Sequence, residues 1–391
     1  MVMIQALISG MNLFSLLALP LFLLAGEIMN RSGITEDLLD FSDLIVGRIR
    51  GGLAHVNIMA SIIFAGISGA AVADASALGT TLIPMMRRKG YGTDFSVAVT
   101  ASSSTIGPII PPSIIMVLVG ISANQSIGAL FLGGVIPGLM MGIGLMIVSY
   151  IISVKRNYPI QPAKSFKNFF RIFFRSLPAL LVPLIIIGGI AFGVFAPTEA
   201  AAVAYCMVYW VSKSLWISRG CCTMESLADC IFASAKTSAS ILWIVGAARG
   251  VSWILAKEGV ASLIYEYILL LNLSPVLFIF IINILLIVVG CLMETSAALF
   301  IFVPIILPLA AIVGFDQFHM ASIIGMNLAI GLTTQPIGLS LYVSANIGKI
   351  SLGNASKAVL PFVGIQIVVL FIVSYFPVLV TWLPRLAGLL E

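Results

Sequence analysis

The chain has 391 residues, 60% of them apolar and only 9% charged, whereas an ordinary soluble domain carries roughly 25% charged residues. That composition excludes a soluble fold. The formal net charge of +5 implies no nucleic-acid partner, because the few bases stand beside hydrophobic segments, where the positive-inside rule accounts for them.

Hydrophobic segments long enough to cross a bilayer, about 20 residues each, run over 13–30, 93–122, 128–154, 177–195, 196–216, 238–256, 321–345 and 359–383. Two more, 52–86 and 275–313, each hold two short helices separated by polar residues. Lys and Arg gather at Arg48 and Arg50, at Arg87, Arg88 and Lys89, and from Lys155 to Arg175, which places those loops in the cytoplasm. From Gly259 to Gly348 there is no Lys or Arg, as expected if the loops near Asn272 and Asp316 face outward. Segment 52–86 therefore leaves and re-enters the cytoplasmic face, and 275–313 does the same from the outer face. Shorter amphipathic stretches at 34–47, 222–237 and 260–271 read as interfacial arms.

The two halves repeat at an offset of about 225 to 228 residues. Ser32–Glu36 resembles Glu258–Ser262, Ser68 falls on Ser296, Thr105 and Pro108 on Thr333 and Pro336, and Ile147–Tyr150 on Ile372–Tyr375. Repeats that enter from opposite faces are related by an axis in the membrane plane, the symmetry of many secondary transporters. The expected fold is an all-α polytopic membrane protein, an inverted repeat with two re-entrant helical hairpins. Its expected parts are a first scaffold helix and arm at 1–50, and a first transport-domain half at 51–127. Scaffold helices, a basic loop and an arm follow at 128–237, then a scaffold helix and arm at 238–272. A second transport-domain half spans 273–346, and a C-terminal scaffold helix 347–391. The second half carries a hydrophobic pair, 177–216, ahead of its repeat. The corresponding start of the first half is expected to precede Met1.

Four polar breaks interrupt the apolar helices. The hairpins turn at Gly66–Ala71, with Asp74 following, and at Glu294–Ala297; the partner helices break at Ser102–Pro108, with Pro111 and Pro112, and at Gly331–Gly338. In hydrocarbon an unpaired backbone group costs several kcal/mol, so such breaks persist only where protein, water or an ion satisfies them. Glycine allows close backbone approach, proline frees a carbonyl one turn earlier, and Ser and Thr add hydroxyls. Several neutral oxygens suit Na+, and half-helix N-termini suit an anionic substrate group. Asp74 and Glu294 beside the tips are better suited to capping or bracing than to direct ion contact. Glu27, Glu199 and Arg249 near helix ends read as structural. Cys206, Cys221, Cys222, Cys230 and Cys291 have no ligand-like spacing with His55 or His319, so no transition-metal site or disulfide framework is expected. No basic leader and cleavage site open the chain.

The runs Pro20–Gly33 (PLFLLAGEIMNRSG), Phe64–Asp74 (FAGISGAAVAD), Thr105–Ser113 (TIGPIIPPS), Pro197–Val203 (PTEAAAV), Met293–Ser296 (METS) and Asn327–Pro336 (NLAIGLTTQP) resemble the large membrane (permease) subunit of the tripartite ATP-independent periplasmic (TRAP) transporters. The resemblance covers essentially the whole chain. It implies an elevator-type ion-transporter fold and sodium-coupled uptake of an organic acid, such as a C4-dicarboxylate, sialic acid or another sugar acid, across the bacterial inner membrane. It also implies a periplasmic substrate-binding protein and a small four-helix membrane subunit as partners. Carried onto this sequence, one sodium site falls on Ser68, Gly69, Thr105, Gly107 and Pro108, the other on Thr295, Ser296, Gly331, Thr333, Thr334 and Gln335, with Ser68, Ser104 and Thr334 nearest the substrate. Gln335 departs from the small residue or proline usual beside the break. A standalone sodium- or proton-coupled anion carrier of related fold, needing no binding protein, is the alternative. An enzyme is not expected, since no convergent acid, base or nucleophile set is present.

Overall fold

The computed structural model describes residues 2–160, 169–219, 224–259 and 274–390. Helix α1 (Val2–Met11) and a short 3-10 turn at Phe14–Leu17 lead into α2 (Ala18–Arg31) and α3 (Ile34–Val46). The first hairpin is α4 (Gly52–Ser68) and α5 (Ala71–Arg88), joined by Gly69 and Ala70. An interrupted helix follows, α6 (Thr93–Ser104) and α7 (Ile114–Ala123), then α8 (Ile127–Lys155). Helices α9 (Phe169–Ala191), α10 (Pro197–Arg219) and α11 (Met224–Lys257) lie between the halves. The second half repeats the first: hairpin α12 (Pro275–Leu292) and α13 (Thr295–Ile312), interrupted helix α14 (Gln317–Gly331) and α15 (Leu339–Gly348), then α16 (Leu352–Tyr375) and α17 (Val378–Leu386). Seven of the described helices are long and apolar enough to cross a membrane.

Helix starts follow the capping chemistry of the sequence. Ser274 accepts from the Leu277 N–H at 3.3 Å ahead of Pro275, and Asp316 accepts from the His319 N–H at 2.6 Å. Ser113 opens α7 by accepting from the Met116 N–H at 3.0 Å. Each supplies an acceptor to a backbone donor that the helix itself cannot satisfy.

Three expectations change. The arm at 222–237 and the span at 238–256 are not separate, because one helix runs from Met224 to Lys257; no proline or glycine interrupts it before Gly246. The span at 359–383 divides at Pro377, which disfavours helical backbone at Phe376 (φ −119°, ψ 84°). The arm at 260–271 lies outside the described residues.

Packing sorts most of the helices into two groups, which meet where α11 packs on α13 and where α2 and α9 pack on α4. Helices α1, α2, α9, α10 and α11 contact one another, α1 and α2 on α11, α2 on α10, and α10 on α9. The hairpins and interrupted helices form the other group, and the halves interlock: α7 packs on α13 and α14, while α15 packs on α5 and α6. Helices α8 and α16, expected among the scaffold segments 128–237 and 347–391, instead pack on each other and on α6, with α8 also on α4 and α16 also on α14. Their inner faces meet the breaks, and α16 places the fully buried Gln366 there. The outer face of α8 carries Ile143, Ile147 and Ile151, exposed at one-turn intervals as a lipid-facing stripe.

Arg50, before α4, and Arg156, at the end of α8, share one end of the molecule. The Arg50 guanidinium donates to Asn157 Oδ1 at 2.9 Å, and Arg156 pairs with Asp94 at 2.8 Å. The starts of α4 and α6 and the end of α8 are thereby tied at the cytoplasmic face.

Candidate functional site: two hairpin tips docked on two broken helices

In each half the hairpin tip reaches the break of the adjoining interrupted helix through one backbone hydrogen bond. The Ile114 N–H donates to Gly69 O at 3.3 Å, and the Ile337 N–H donates to Cys291 O at 3.1 Å. Both breaks interrupt helices of crossing length, and each tip thereby shares a backbone bond with the break it meets. Glycine makes both contacts possible. Gly69 is left-handed (φ 62°), and a Cβ there would collide with Pro112 O; a Cβ on Gly331 would lie 2.7 Å from the backbone of Gly290.

Equivalent asparagines stitch each first hairpin arm to its broken helix. Asn57 Nδ2 donates to Thr100 Oγ1 at 2.7 Å, and Asn327 Nδ2 donates to Asn283 Oδ1 at 3.0 Å. Asn57 and Asn283 are 226 residues apart, Thr100 and Asn327 are 227 apart, both within the repeat offset. Asn283 also donates to Ser374 Oγ at 2.9 Å.

At the first tip, Ser68, Gly69, Asp74, Gly107 and Pro108 come together. Ser68 Oγ donates to Asp74 Oδ1, and Asp74 is wholly buried. Its other oxygen, Oδ2, has no hydrogen-bond partner and lies against Gly107, where a Cβ would collide with it. One carboxylate oxygen thus braces the tip, and the second faces Gly107 without a protein partner. The Pro108 carbonyl is already used, accepting from Ser113 Oγ. Ser104 is buried and donates to Ala101 O at 2.8 Å. Thr105 turns away from the tip, donating to Ser102 O at 2.7 Å.

The second tip is built differently. Glu294 caps α13, accepting from Ser296 Oγ and from the Ala297 N–H, each at 3.0 Å, and both its oxygens are occupied. Thr295 is buried beside it. Thr334 Oγ1 donates to Gly331 O at 2.9 Å and contacts Cys291 Sγ at 2.9 Å. Thr333 donates to Ile330 O at 2.8 Å. Gln335 stands apart from this group: it is exposed, and its Nε2 donates to Leu352 O at 3.3 Å, at the start of α16. The long polar side chain, beside an exposed part of the break, turns to the Leu352 carbonyl rather than inward.

Gln366, unread as a site residue in the sequence, joins the two breaks. Its Nε2 donates to Ser102 O at 3.0 Å and Thr105 Oγ1 at 2.8 Å, while its Oε1 accepts from Thr333 Oγ1 at 3.3 Å. The signal for it is a lone glutamine in an otherwise apolar segment. Beside the first tip a polar cavity of about 320 Å³ lies between α2, α3 and α5, lined in part by Asn30, Thr35, Ala73, Ser76 and Thr80. Asn30 Oδ1 and Thr35 Oγ1 have no hydrogen-bond partner.

Residues 1–379 match the family described as tripartite ATP-independent periplasmic transporter, DctM component. The sialic acid TRAP transporter large permease protein SiaM of Vibrio cholerae is 39% identical over 98% of this chain and 89% of its own length. The C4-dicarboxylate TRAP transporter large permease protein DctM of Pseudomonas aeruginosa is 37% identical, over 96% of this chain and 87% of its own. The sialic acid TRAP transporter permease protein SiaT of Haemophilus influenzae is 37% identical over 98% of this chain, which spans 62% of SiaT. Among solved structures, the Alcanivorax borkumensis YdaH transporter shares the fold, with a TM-score of 0.68 at 10% identity over 94% of this chain and 86% of that one. The interlocked hairpins, the matched motifs and the full-length similarity have one meaning: the chain belongs to the TRAP transporter large permease family.

Proposed function

We propose that this inner-membrane permease imports an organic acid by sodium-coupled secondary transport, with the hairpin unit moving as an elevator against the scaffold of α1, α2 and α9–α11. The observation that carries the reading is the first tip, where Asp74 offers a buried unpartnered oxygen beside Gly107 and Ser68. Sodium held there and at the second tip orders both tips, and the loaded form is then the one that crosses. Coupling is the extra affinity of that form for substrate when the ions are bound. The cavity at Asn30, Thr35 and Ser76 supports an exit route on the cytoplasmic side, since it borders the hairpin arm that ends in Arg87 and Arg88.

The substrate class follows the relatives, whose names give sialic acid and C4-dicarboxylates. A carboxylate is their shared feature. By the same likeness the working assembly contains a small membrane subunit and a periplasmic binding protein that delivers the acid.

The test is uptake into proteoliposomes holding this chain and a small subunit, driven by a sodium gradient, with and without binding protein. Ser68→Ala and Thr333→Ala are expected to insert normally and weaken sodium-driven uptake. Unchanged sodium dependence in both variants removes the assigned sites. Uptake that needs no binding protein replaces the tripartite reading with a standalone carrier.

A further inference from the structure

Arg249 does not behave as the helix-end residue its position suggests. It lies on α11 with its guanidinium 5.6 Å from the centre of the Phe300 ring of α13. The Gly10 backbone of α1 packs on its aliphatic stem, where a Cβ would stand 2.6 Å from Cγ. Among the described residues it forms no ion pair, and its Nε is buried without a hydrogen-bond partner. An arginine at membrane depth usually faces a carboxylate or a water-filled cavity. Arg249 faces a cavity of about 430 Å³.

The opposite wall of that cavity is the end of α7 and the turn after it, with Ser122, Asn124 and Gln125; Ser15 closes a third side. Ser122 Oγ is also buried and unpartnered. Asn124 closes α7 in the left-handed conformation (φ 52°). A guanidinium, a hydroxyl and two amides therefore line one space, with an unused donor on each side and no acid among them. That set matches a carboxylate, which a guanidinium holds with paired hydrogen bonds while hydroxyl and amide donors take the remaining lone pairs.

The cavity lies at the outer end, because α7 ends there and α6 begins at the cytoplasmic cluster of Asp94 and Arg156. It also sits between the two packing groups: Arg249 and Ser15 belong to the scaffold side, Ser122, Asn124 and Phe300 to the hairpin side. We propose that Arg249, Ser122, Asn124 and Gln125 form a binding site for the carboxylate of an organic acid on the outer side of the permease, separate from the hairpin tips. The site rests on the transport reading for its purpose, which is to hold an arriving acid between scaffold and hairpin unit. Displacement of α7 past α11 takes the two walls apart and releases the carboxylate inward.

The experiment measures ligand-induced thermal stabilisation of the purified full chain in detergent with succinate and with N-acetylneuraminate, using succinamide as the uncharged control. At least one acid is expected to stabilise the protein where succinamide does not. Arg249→Gln is expected to weaken that binding more than about tenfold, since a charged partner of a buried hydrogen bond is lost, and Arg249→Lys to weaken it less. If Arg249→Gln does not fold, Ser122→Ala and Asn124→Ala each test the opposite wall, and both are expected to weaken binding several-fold. Acid binding unchanged in these variants, no binding of either acid, or displacement of the effect by added phosphatidylglycerol overturns the site, the last by assigning it to a lipid phosphate. Sodium-driven uptake measured in parallel keeps the readings apart. Uptake that persists without Arg249-dependent binding leaves transport standing and removes this site; Arg249-dependent binding without sodium-driven uptake does the reverse.

Discussion

The Gln366 amide donates to Thr105 Oγ1 at 2.8 Å, and through its other end it accepts from Thr333, the residue that the repeat superimposes on Thr105. One side chain from α16 thus spans the pseudo-symmetric pair of threonines at the two breaks.

Replacing Gln366 with Leu removes those bonds and leaves Thr105 and Thr333 with only their local bonds to Ser102 O and Ile330 O. Each lost bond costs about 0.5–1.5 kcal/mol. The expected outcome is a sodium concentration for half-maximal uptake raised by roughly tenfold or more, with reduced cooperativity between ions. Sodium titration of proteoliposome uptake measures both; an unchanged titration curve with normal protein yield shows Gln366 to be core packing alone.

The glycine contacts at the tips predict a stability effect independent of any ion. Gly69→Ala forces a side chain into left-handed backbone and against Pro112 O, and Gly331→Ala pushes a methyl into the Gly290 backbone. Each is expected to cost about 1–3 kcal/mol, read as a lowered unfolding midpoint of the purified protein. Gly353→Ala, where nothing lies within 4 Å of the added Cβ, is the matched control and is expected to leave the midpoint unchanged.

Gln335 separates sequence position from structural role. It sits in the break motif, yet its side chain is exposed and bonded to Leu352 O. Gln335→Ala is expected to keep sodium-driven uptake within about twofold of the parent, because an exposed neutral hydrogen bond is worth little in net terms. A large loss of sodium affinity returns the residue to the site.

The orientation makes a topological prediction. Single cysteines at Lys89 and at Asp316, in a background without the native cysteines, are expected to react with a membrane-impermeant thiol reagent from opposite faces of the membrane. Labelling of both from one face contradicts the inverted arrangement.

How much of this was legible in the sequence depended on the kind of signal. Gly69, Ser68 and the Pro-rich break could be read because a polar, glycine-rich turn inside hydrocarbon needs a reason, and the offset linking Ser68 to Ser296 tied two such turns together. Asp74 was legible as a tip residue, but the free state of its second oxygen depends on where Gly107 comes to rest, which no spacing specifies. Gln366 and Arg249 were not read as site residues. One lies in a segment assigned to the scaffold, the other near a helix end, and each acquires its meaning from distant chain, 261 residues away at Thr105 for Gln366 and 51 away at Phe300 for Arg249. The packing of both α8 and α16 on the hairpin side was hidden for the same reason, since hydropathy marks a crossing without saying what it crosses beside.

The most direct measurement is the sodium dependence of thermal stability for the purified parent and for Asp74→Asn, in sodium against potassium at equal ionic strength. Asn keeps an acceptor for Ser68 and removes the charge. Sodium at ten times its dissociation constant contributes about 1.4 kcal/mol, a rise of roughly 2 °C or more in the midpoint. The account predicts that rise in the parent and its loss in Asp74→Asn; equal midpoints in sodium and potassium for the parent, or a sodium effect that survives Asp74→Asn, contradict a cation at the first tip.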